Sequence, residues 1–211
     1  MEVRFDGDNV LFVITAGGGT GSIRIMNAAR DATRQLGEVH FADGTVMTWG
    51  EVTSTRVVRG TGGNDVLRTF SLPGETVTVF AVRAQNTIHG GQGQDIFVLG
   101  SGNDQVFARY DVEGGGHKIF VWGEGGHDVI HYFNPNRVEG DGLSILRFGP
   151  GIAPQNVVAR YSGDNVTLTI AGVSRAGSIR FVNARADIRR QMDEIRFADG
   201  TVWKWNEVPR Q

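Results

Sequence analysis

The stretch that decides the fold is GGQGQDIFV, residues 90–98, which runs directly into LGSGNDQVF, residues 99–107. Each nine-residue segment has glycines four and two places before an aspartate, and an apolar residue two places after it. Glycine permits a tight turn whose carbonyls point inward, aspartate supplies a hard oxygen ligand, and the following residues form a minimal strand. Segments beginning at residues 60 and 123 fit the same frame at the glycine two places before the aspartate, at the aspartate and at the apolar residue after it. The repeat predicts a parallel roll built from stacked turns.

One side chain from each of these strands is expected to point into the roll. A single turn cannot bury its apolar side chain alone, so neighbouring turns must fold together. Glycine supplies 31 of the 211 residues, which reflects a need for special backbone geometry because the charged fraction, 21%, is ordinary. The expected inward ladder residues are Leu67, Phe97, Val106 and Ile130.

The two ends of the chain are copies of one another. Residues 3–52 align without a gap onto residues 159–208, at a constant offset of 156 and with 25 of 50 positions identical. Each copy contains short β-branched runs bounded by Gly, Asp and Asn, which predict antiparallel strands. A helix-compatible stretch, residues 185–192, precedes the last hairpin of the second copy.

The Asp199-Gly200 pair marks that last hairpin, and side-chain parity indicates the length of its loop. A two-residue loop would place the charged Arg196 opposite Trp203. An odd loop with a left-handed Gly200 instead places Trp203 on the apolar face. We therefore predict the odd loop, with the apolar and polar faces divided as follows: Ile195, Phe197, Trp203 and Trp205 inward, and Arg196 and Lys204 outward.

Composition excludes several classes of function. The net charge of −2 and the scattered Lys and Arg residues argue against a nucleic-acid surface. No run approaches the roughly 20 apolar residues that span a bilayer. The absence of cysteine removes disulfides and cysteine-zinc sites. The start of the chain lacks the basic and apolar regions of a cleavable signal peptide.

The central segment resembles the β-roll of repeats-in-toxin proteins, the hemolysin-type calcium-binding family. The two ends are similar to the associated hemolysin-type calcium-binding-related domain, through the shared Gly-Asp-Asn-Val and Phe-Ala-Asp-Gly-Thr-Val motifs and through residues 145–152. The resemblance implies an all-β fold, with a short parallel β-roll at 56–134 flanked by two homologous, mostly antiparallel units at 1–55 and 135–211. The flanking units are expected to cap the roll.

The same resemblance implies a non-catalytic, calcium-binding structural module of a secreted bacterial protein. Export by a type I system, read from a C-terminal signal, would explain the missing N-terminal signal peptide. The chain would then fold outside the cell, where calcium is abundant, because a ligand that binds only the folded state stabilises it. The expected partners are calcium ions and neighbouring repeats of a longer parent chain.

In this family an ion lies between turns on the same side of the roll, which are two repeats, or 18 residues, apart. In that register Asp104 faces Asn86 and Asp95 faces Glu113, whereas Asp65 faces Arg83 and Asp128 faces Tyr110 unless insertions shift them. Lys118 stands where an aspartate is expected, so its ammonium can replace an ion. One or two calcium ions are expected. The implied site residues are Asp65, Asn86, Gly91, Gly93, Asp95, Gly100, Gly102, Asp104, Glu113 and Asp128.

Other interpretations remain open at this point. The degenerate turns can hold their shape without metal, and the chain can be an extracellular adhesion or carbohydrate-binding module that contacts cell-surface glycans through Trp122, Tyr132 and Phe133. A zinc site at His127 and His131 is disfavoured, because residues four apart on a strand and turn lack the geometry of a helix face. No hydrolase motif indicates an enzyme.

Overall fold

Strands dominate the structure, a computed structural model that describes residues 2–6, 8–16, 19–28, 31–40, 44, 46–49, 57–69, 71, 75–109, 117–134 and 144–210. Within these residues the helical segments are four 3-10 turns, Ala32–Arg34, Pro154–Asn156, Ile188–Arg190 and Trp205–Glu207, together with the α-helical residue Trp49. The all-β prediction is confirmed.

The N-terminal part forms a three-stranded antiparallel sheet and a separate hairpin. The sheet has the order β1-β2-β3, and the hairpin pairs β4 with β5. These strands span Glu2–Asp6 (β1), Asn9–Ala16 (β2), Gly19–Ile25 (β3), Glu38–His40 (β4) and Val46–Thr48 (β5).

The central part contributes eight strands, seven of which have five residues or fewer. They span Val57–Arg59 (β6), Val66–Arg68 (β7), Thr76–Phe80 (β8), Thr87–His89 (β9), Gln94–Val98 (β10), Gln105–Arg109 (β11), Lys118–Trp122 (β12) and Gly126–Phe133 (β13).

The C-terminal part adds six strands to the sheets that the central strands begin. They span Ser144–Phe148 (β14), Val157–Ser162 (β15), Asn165–Ile170 (β16), Gly177–Phe181 (β17), Glu194–Arg196 (β18) and Val202–Trp203 (β19).

Successive central strands alternate between two sheets, which is the arrangement of a parallel β-roll. The first sheet has the order β6-β8-β10-β12-β14-β18-β19, and the second has the order β7-β9-β11-β13-β17-β16-β15. Pairing is parallel as far as β18 in the first sheet and β17 in the second, then antiparallel. Both sheets therefore continue from the central part into the C-terminal part, and the boundary predicted between residues 134 and 135 stays a prediction.

The core consists of side chains stacked in register from strand to strand. Each sheet presents one ladder of fully buried apolar residues to the other, as the alternation of buried and half-buried positions requires. The predicted inward residues Leu67, Phe97, Val106 and Ile130 are all at most 2% exposed. The two ladders are Val58, Val79, Phe97, Phe120, Leu146 and Ile195, and Leu67, Ile88, Val106, Ile130 and Phe181.

The duplicated ends share their strand register as well as their sequence. Every antiparallel pair of the second copy except Val157↔Ile170 repeats a pair of the first copy at the offset of 156. Asn27 and Asn183 both adopt a left-handed conformation, with φ of 60° and 59°. Representative Cα pairs are Val10↔Ile25 with Val166↔Phe181, and Val39↔Met47 with Ile195↔Trp203.

The last hairpin has the predicted odd loop. The backbone N–H of Phe197 donates to the carbonyl of Thr201 at 2.9 Å, which leaves three residues in the loop, and Gly200 has a φ of +91°. Ile195 and Phe197 are buried, and Trp203 and Trp205 pack against them. The helix-compatible stretch at 185–192 forms only the 3-10 turn Ile188–Arg190, because the chain returns to an extended conformation at Gln191.

Candidate metal centre

Polar residues at the beginning of the strands stack into a row on each side of the roll. On the side of the second sheet, the residues that directly precede the paired positions Val66, Thr87, Gln105 and Val129 are Asp65, Asn86, Asp104 and Asp128. On the side of the first sheet, the residues in register are Val77, Asp95, Lys118 and Ser144. The two rows differ in charge: the first contains three carboxylates, and the second contains one carboxylate beside one ammonium.

In the row that contains three carboxylates, the side chains of Asn86, Asp104 and Asp128 accept hydrogen bonds from the backbone of the preceding turn, and Asp65 accepts one from Thr61 of its own turn. The N–H of Asp65 donates to Asn86 Oδ1 at 3.1 Å, that of Asn86 donates to Asp104 Oδ1 at 2.9 Å, and that of Asp104 donates to Asp128 Oδ1 at 2.8 Å. The Asn86 amide also donates to Asp104 Oδ1, at 2.9 Å. One side-chain oxygen from each of these three turns, an amide oxygen at Asn86 and a carboxylate oxygen at Asp104 and Asp128, thus holds the turns in register.

The Asp104 and Asp128 carboxyl groups are both buried, at 0% and 1% exposure. Asp104 Oδ2 accepts no hydrogen bond from the described residues, and neither group forms an ion pair within them. Burial raises the pKa of Asp104, and burial together with the neighbouring Asp104 charge raises the pKa of Asp128 to about 7. Two adjacent buried carboxylates with an unused oxygen favour a bound cation.

The other row shows how this fold neutralises such a carboxylate. Lys118 Nζ donates to Asp95 Oδ2 at 2.5 Å and to the carbonyls of Gly91 and Gly93 at 2.7 and 2.6 Å. Both charged side chains are fully buried. Ser71 Oγ donates to the remaining oxygen, Asp95 Oδ1, at 2.8 Å. The ammonium therefore occupies a cradle of one carboxylate and two inward-pointing carbonyls.

The residues that form this cradle recur nine positions later in the sequence, around Asp104. Gly91, Gly93 and Asp95 correspond to Gly100, Gly102 and Asp104. On the next turn, however, the residue beside Asp95 is Lys118, whereas the residue beside Asp104 is the carboxylate Asp128. The second cradle thus has the residue types of the first and an additional carboxylate, but no ammonium. Hard oxygen ligands of this kind suit calcium.

Tight stacking of the turns explains the predicted glycines. A Cβ at Gly91 would overlap Ser71, one at Gly100 would overlap the Val82 carbonyl, and one at Gly102 would overlap the Ala84 carbonyl. These positions have no room for a side chain, so glycine is required there by close approach.

One predicted pair of turns is found at the ideal spacing, and two other turns have neighbours that insertions shift, the alternative that the sequence left open. Asp104 lies beside Asn86, 18 residues away as predicted. Asp65 lies beside Asn86 rather than Arg83, at a separation of 21, and Asp128 lies beside Asp104 rather than Tyr110, at a separation of 24.

Asp95 lies beside Lys118, at a separation of 23. Its predicted partner, Glu113, lies outside the residues that the structure describes. Insertions in the intervening turns add three, six and five residues to the ideal spacing, so a rule based on a constant period cannot find these neighbours.

Two aromatic residues proposed as a glycan platform are not exposed. Trp122 and Tyr132 are 0% and 1% exposed, so this part of the adhesion hypothesis is wrong. Trp122 instead donates from Nε1 to Asp128 Oδ2 at 2.6 Å, a role that no repeat pattern signals. Phe133 is half-buried beneath the guanidinium groups of Arg189 and Arg190.

The two histidines considered for zinc have different partners. His127 contacts Ser178 through Nδ1 at 2.9 Å, and His131 stacks on Phe107 with ring centroids 4.5 Å apart. Across the described residues, no cluster of three or more His, Asp or Glu side chains is arranged to hold a metal. A metal at Asp104 and Asp128 would therefore depend on carbonyl oxygens for its other protein ligands.

Comparison with known protein families places part of the first copy in a described family. Residues 12–50 match the family described as haemolysin-type calcium binding protein related domain. The matched segment lies in the first copy of the duplication and corresponds to residues 168–206 in the second. No curated protein matches the chain. Among the described residues, no helix has the length and apolar character needed to cross a membrane.

Proposed function

We propose that the chain is a non-catalytic structural module that binds calcium between the turns of its roll, at Asp104 and Asp128. The observation that carries this proposal is the unpartnered, buried Asp104 Oδ2 beside a second buried carboxylate. The match of residues 12–50 to a calcium-binding-related family supports the same metal.

The residues that would hold the ion are the Asp104 and Asp128 carboxylates and the carbonyls of Gly100 and Gly102. A bound divalent cation would supply the positive charge that Lys118 supplies in the other row. Asp95 is not included in the proposed site, because the buried Lys118 ammonium already neutralises its charge. The proposal therefore places one calcium site, between one pair of turns, in the described part of the roll.

We also propose that the stability of the folded module depends on the calcium concentration of its surroundings, and therefore on whether it is inside or outside the cell. An ion that binds only the folded chain stabilises it by mass action, so the protein would be less stable where calcium is scarce and more stable where it is abundant. The family resemblance supports an extracellular site of action, with export by a type I system. The module would then stiffen after export as part of a longer secreted chain.

A calcium titration of chelator-treated protein tests the metal proposal. At a free calcium concentration of 100 times Kd we expect stabilisation by about 2.7 kcal/mol. This corresponds to a rise in Tm of roughly 5–10 °C for a chain of this size. Magnesium should produce a smaller rise at the same concentration, because it demands a stricter octahedral geometry.

Three variants sharpen this test. The double variant Asp104→Asn/Asp128→Asn should lose the calcium-dependent rise, whereas the exposed control Asp164→Asn should keep it. Asp95→Asn in the background Lys118→Met should also keep it, since that pair lies outside the proposed site. A calcium-independent Tm in the native sequence would refute the proposal and leave a metal-free scaffold.

A further inference from the structure

The two copies of the duplicated unit have the same internal register but different neighbours. In the second copy, β17 pairs with β13 and β18 pairs with β14, both in parallel. In the first copy, the equivalent strands are β3 and β4, and among the described residues they pair only with β2 and β5. One side of the first copy therefore lacks the two strands that cover the same side of the second.

Burial follows this difference residue by residue. Ile179 is 0% exposed against β13, whereas the identical residue of the first copy, Ile23, is 53% exposed. Met192 is 0% exposed, and its equivalent, Leu36, is 40% exposed. The two segments have similar sequences, so the difference lies in what covers them. We call the surface formed by β3, Leu36 and β4 the entry face.

The entry face also has the shape needed to receive a strand. A Cβ at Gly177 would overlap the Gly126 carbonyl and would lie 3.0 Å from the Trp122 side chain, so β13 can approach only a glycine there. Gly21 is the equivalent glycine of the first copy, and no described residue lies within 4 Å of the corresponding position. Both copies therefore have this glycine, and among the described residues a neighbouring strand packs on it only in the second.

The opposite side of each unit contacts the chain that follows it. In the first copy, β1 contacts β6 and β7, the first strands of the roll. In the second copy, the N–H of Ala159 in β15 donates to the carbonyl of Pro209 at 2.7 Å, and Ala159 forms a parallel bridge with Arg210. Each unit therefore has two docking sides, one toward a preceding roll and one toward a following strand.

We propose that the entry face docks the terminal turn of another β-roll of this type. The occupant would present two parallel strands with the chemistry of β13 and β14: a glycine carbonyl opposite Gly21, and apolar side chains against Ile23 and Leu36. β13 and β14 of this chain already pair with β17 and β18, so a second copy of the chain has no free equivalent to offer. Exposed parallel edges bind in this way by strand addition.

A tandem protein tests the proposal, made by joining residues 1–158 directly to residues 3–211. The junction preserves the chain because residue 3 is equivalent to residue 159. The interior copy of the first unit then follows a complete roll. Peptides that cover residues 19–25 should show two equal populations in hydrogen exchange, one as fast as in the single chain and one slower by about 100-fold or more.

Point variants distinguish docking from a general gain in stability. Ile23→Asp in the interior copy should abolish the slow population, and the same change in the single chain should leave its Tm within about 1–2 °C, as expected for an exposed site. The matched variant Ile179→Asp should destabilise the single chain severely, because that residue is buried.

Two outcomes would overturn the proposal. If both populations of residues 19–25 exchange at the fast rate in a folded tandem protein, the entry face does not receive a roll. If the single chain sediments as a dimer that Ile23→Asp dissociates, the occupant is a second copy of this chain rather than a roll end.

Discussion

The Lys118 side chain is the main chemical difference between the two rows of turns. It places a buried ammonium beside Asp95, whereas the row that contains Asp104 and Asp128 has no ammonium. A buried ion pair is costly to break, because the remaining charge stays out of water. We predict that Lys118→Met lowers the free energy of unfolding by about 3–5 kcal/mol, since Asp95 would be left buried and unpaired. Urea denaturation at fixed calcium measures this loss.

The matched control for that prediction is Lys204→Met. Lys204 forms an exposed ion pair with Glu194 at 2.9 Å, so its loss should cost only about 0–1 kcal/mol. Equal losses for the two variants would mean that the buried pair contributes no more than a surface pair, and would contradict the interpretation of Lys118 as a substitute for an ion.

Asp128 makes the metal-free protein sensitive to pH. Its pKa is raised to about 7 by burial and by the Asp104 charge, from 3.8. Between these values the folded state binds more protons than the unfolded state, so the contribution of Asp128 to stability is present at low pH and is lost as the pH rises through 7. In chelator, stability should therefore fall between pH 5 and pH 8 by a few kcal/mol relative to Asp128→Asn.

The comparison with Asp128→Asn is necessary because other groups titrate in the same range. Burial lowers the pKa of His89 and His131, which makes their contribution to stability rise with pH and opposes that of Asp128. Thermal melts of both proteins across this range measure the difference. Parallel Tm profiles would show that Asp128 titrates normally.

At the scale of the element, the stacked turns depend on glycines that approach carbonyl groups of the next turn. Gly102→Ala would drive its Cβ into the Ala84 carbonyl, and we predict a loss of about 3 kcal/mol together with weaker calcium binding. Gly62→Ala is the control, because nothing lies within 4 Å of its Cβ position, and it should change stability by less than about 0.5 kcal/mol. Chemical denaturation and calcium titration of both variants measure these effects. If Gly102→Ala leaves the free energy of unfolding unchanged, the neighbouring turns can move apart to accept the added methyl group, and the prediction is wrong.

At the scale of the whole molecule, the described residues contain two separate hydrophobic cores. The larger core runs without a break from Val58 to Val208, and the smaller one consists of Val10, Phe12 and Ala28 with their neighbours. The roll and the C-terminal unit share the larger core and both sheets, so we expect them to unfold together.

This division predicts different effects for two core substitutions. Leu146→Ala should lower the stability of the roll and the C-terminal unit together by about 2–5 kcal/mol. Phe12→Ala should speed hydrogen exchange in β1–β3 while leaving exchange in β10–β13 unchanged, because the small core does not extend into the roll. Exchange followed by mass spectrometry checks both. If Phe12→Ala speeds hydrogen exchange equally in β1–β3 and in β10–β13, the two cores unfold as a single cooperative unit.

Much of the fold was predictable because it depends on local periodicity. The nine-residue repeat identified Leu67, Phe97, Val106 and Ile130 as inward residues, and side-chain parity identified the three-residue loop at Gly200. The duplication identified equivalent strands whose registers agree. Each of these features depends on the alternation of side chains along a strand or on the backbone of a single turn, both of which are recorded in consecutive residues.

The tertiary structure alone decided which turns are neighbours and therefore which charges meet. Turns of unequal length bring Asp104 to Asp128 and Asp95 to Lys118, and no constant spacing predicts either pair. It also decided that Trp122 is buried against Asp128, and that Ile23 and Ile179, identical in sequence context, differ completely in burial. The physical reason is that contacts between turns depend on the path of the intervening chain and on what covers each face, whereas the pattern within a turn depends only on its own residues.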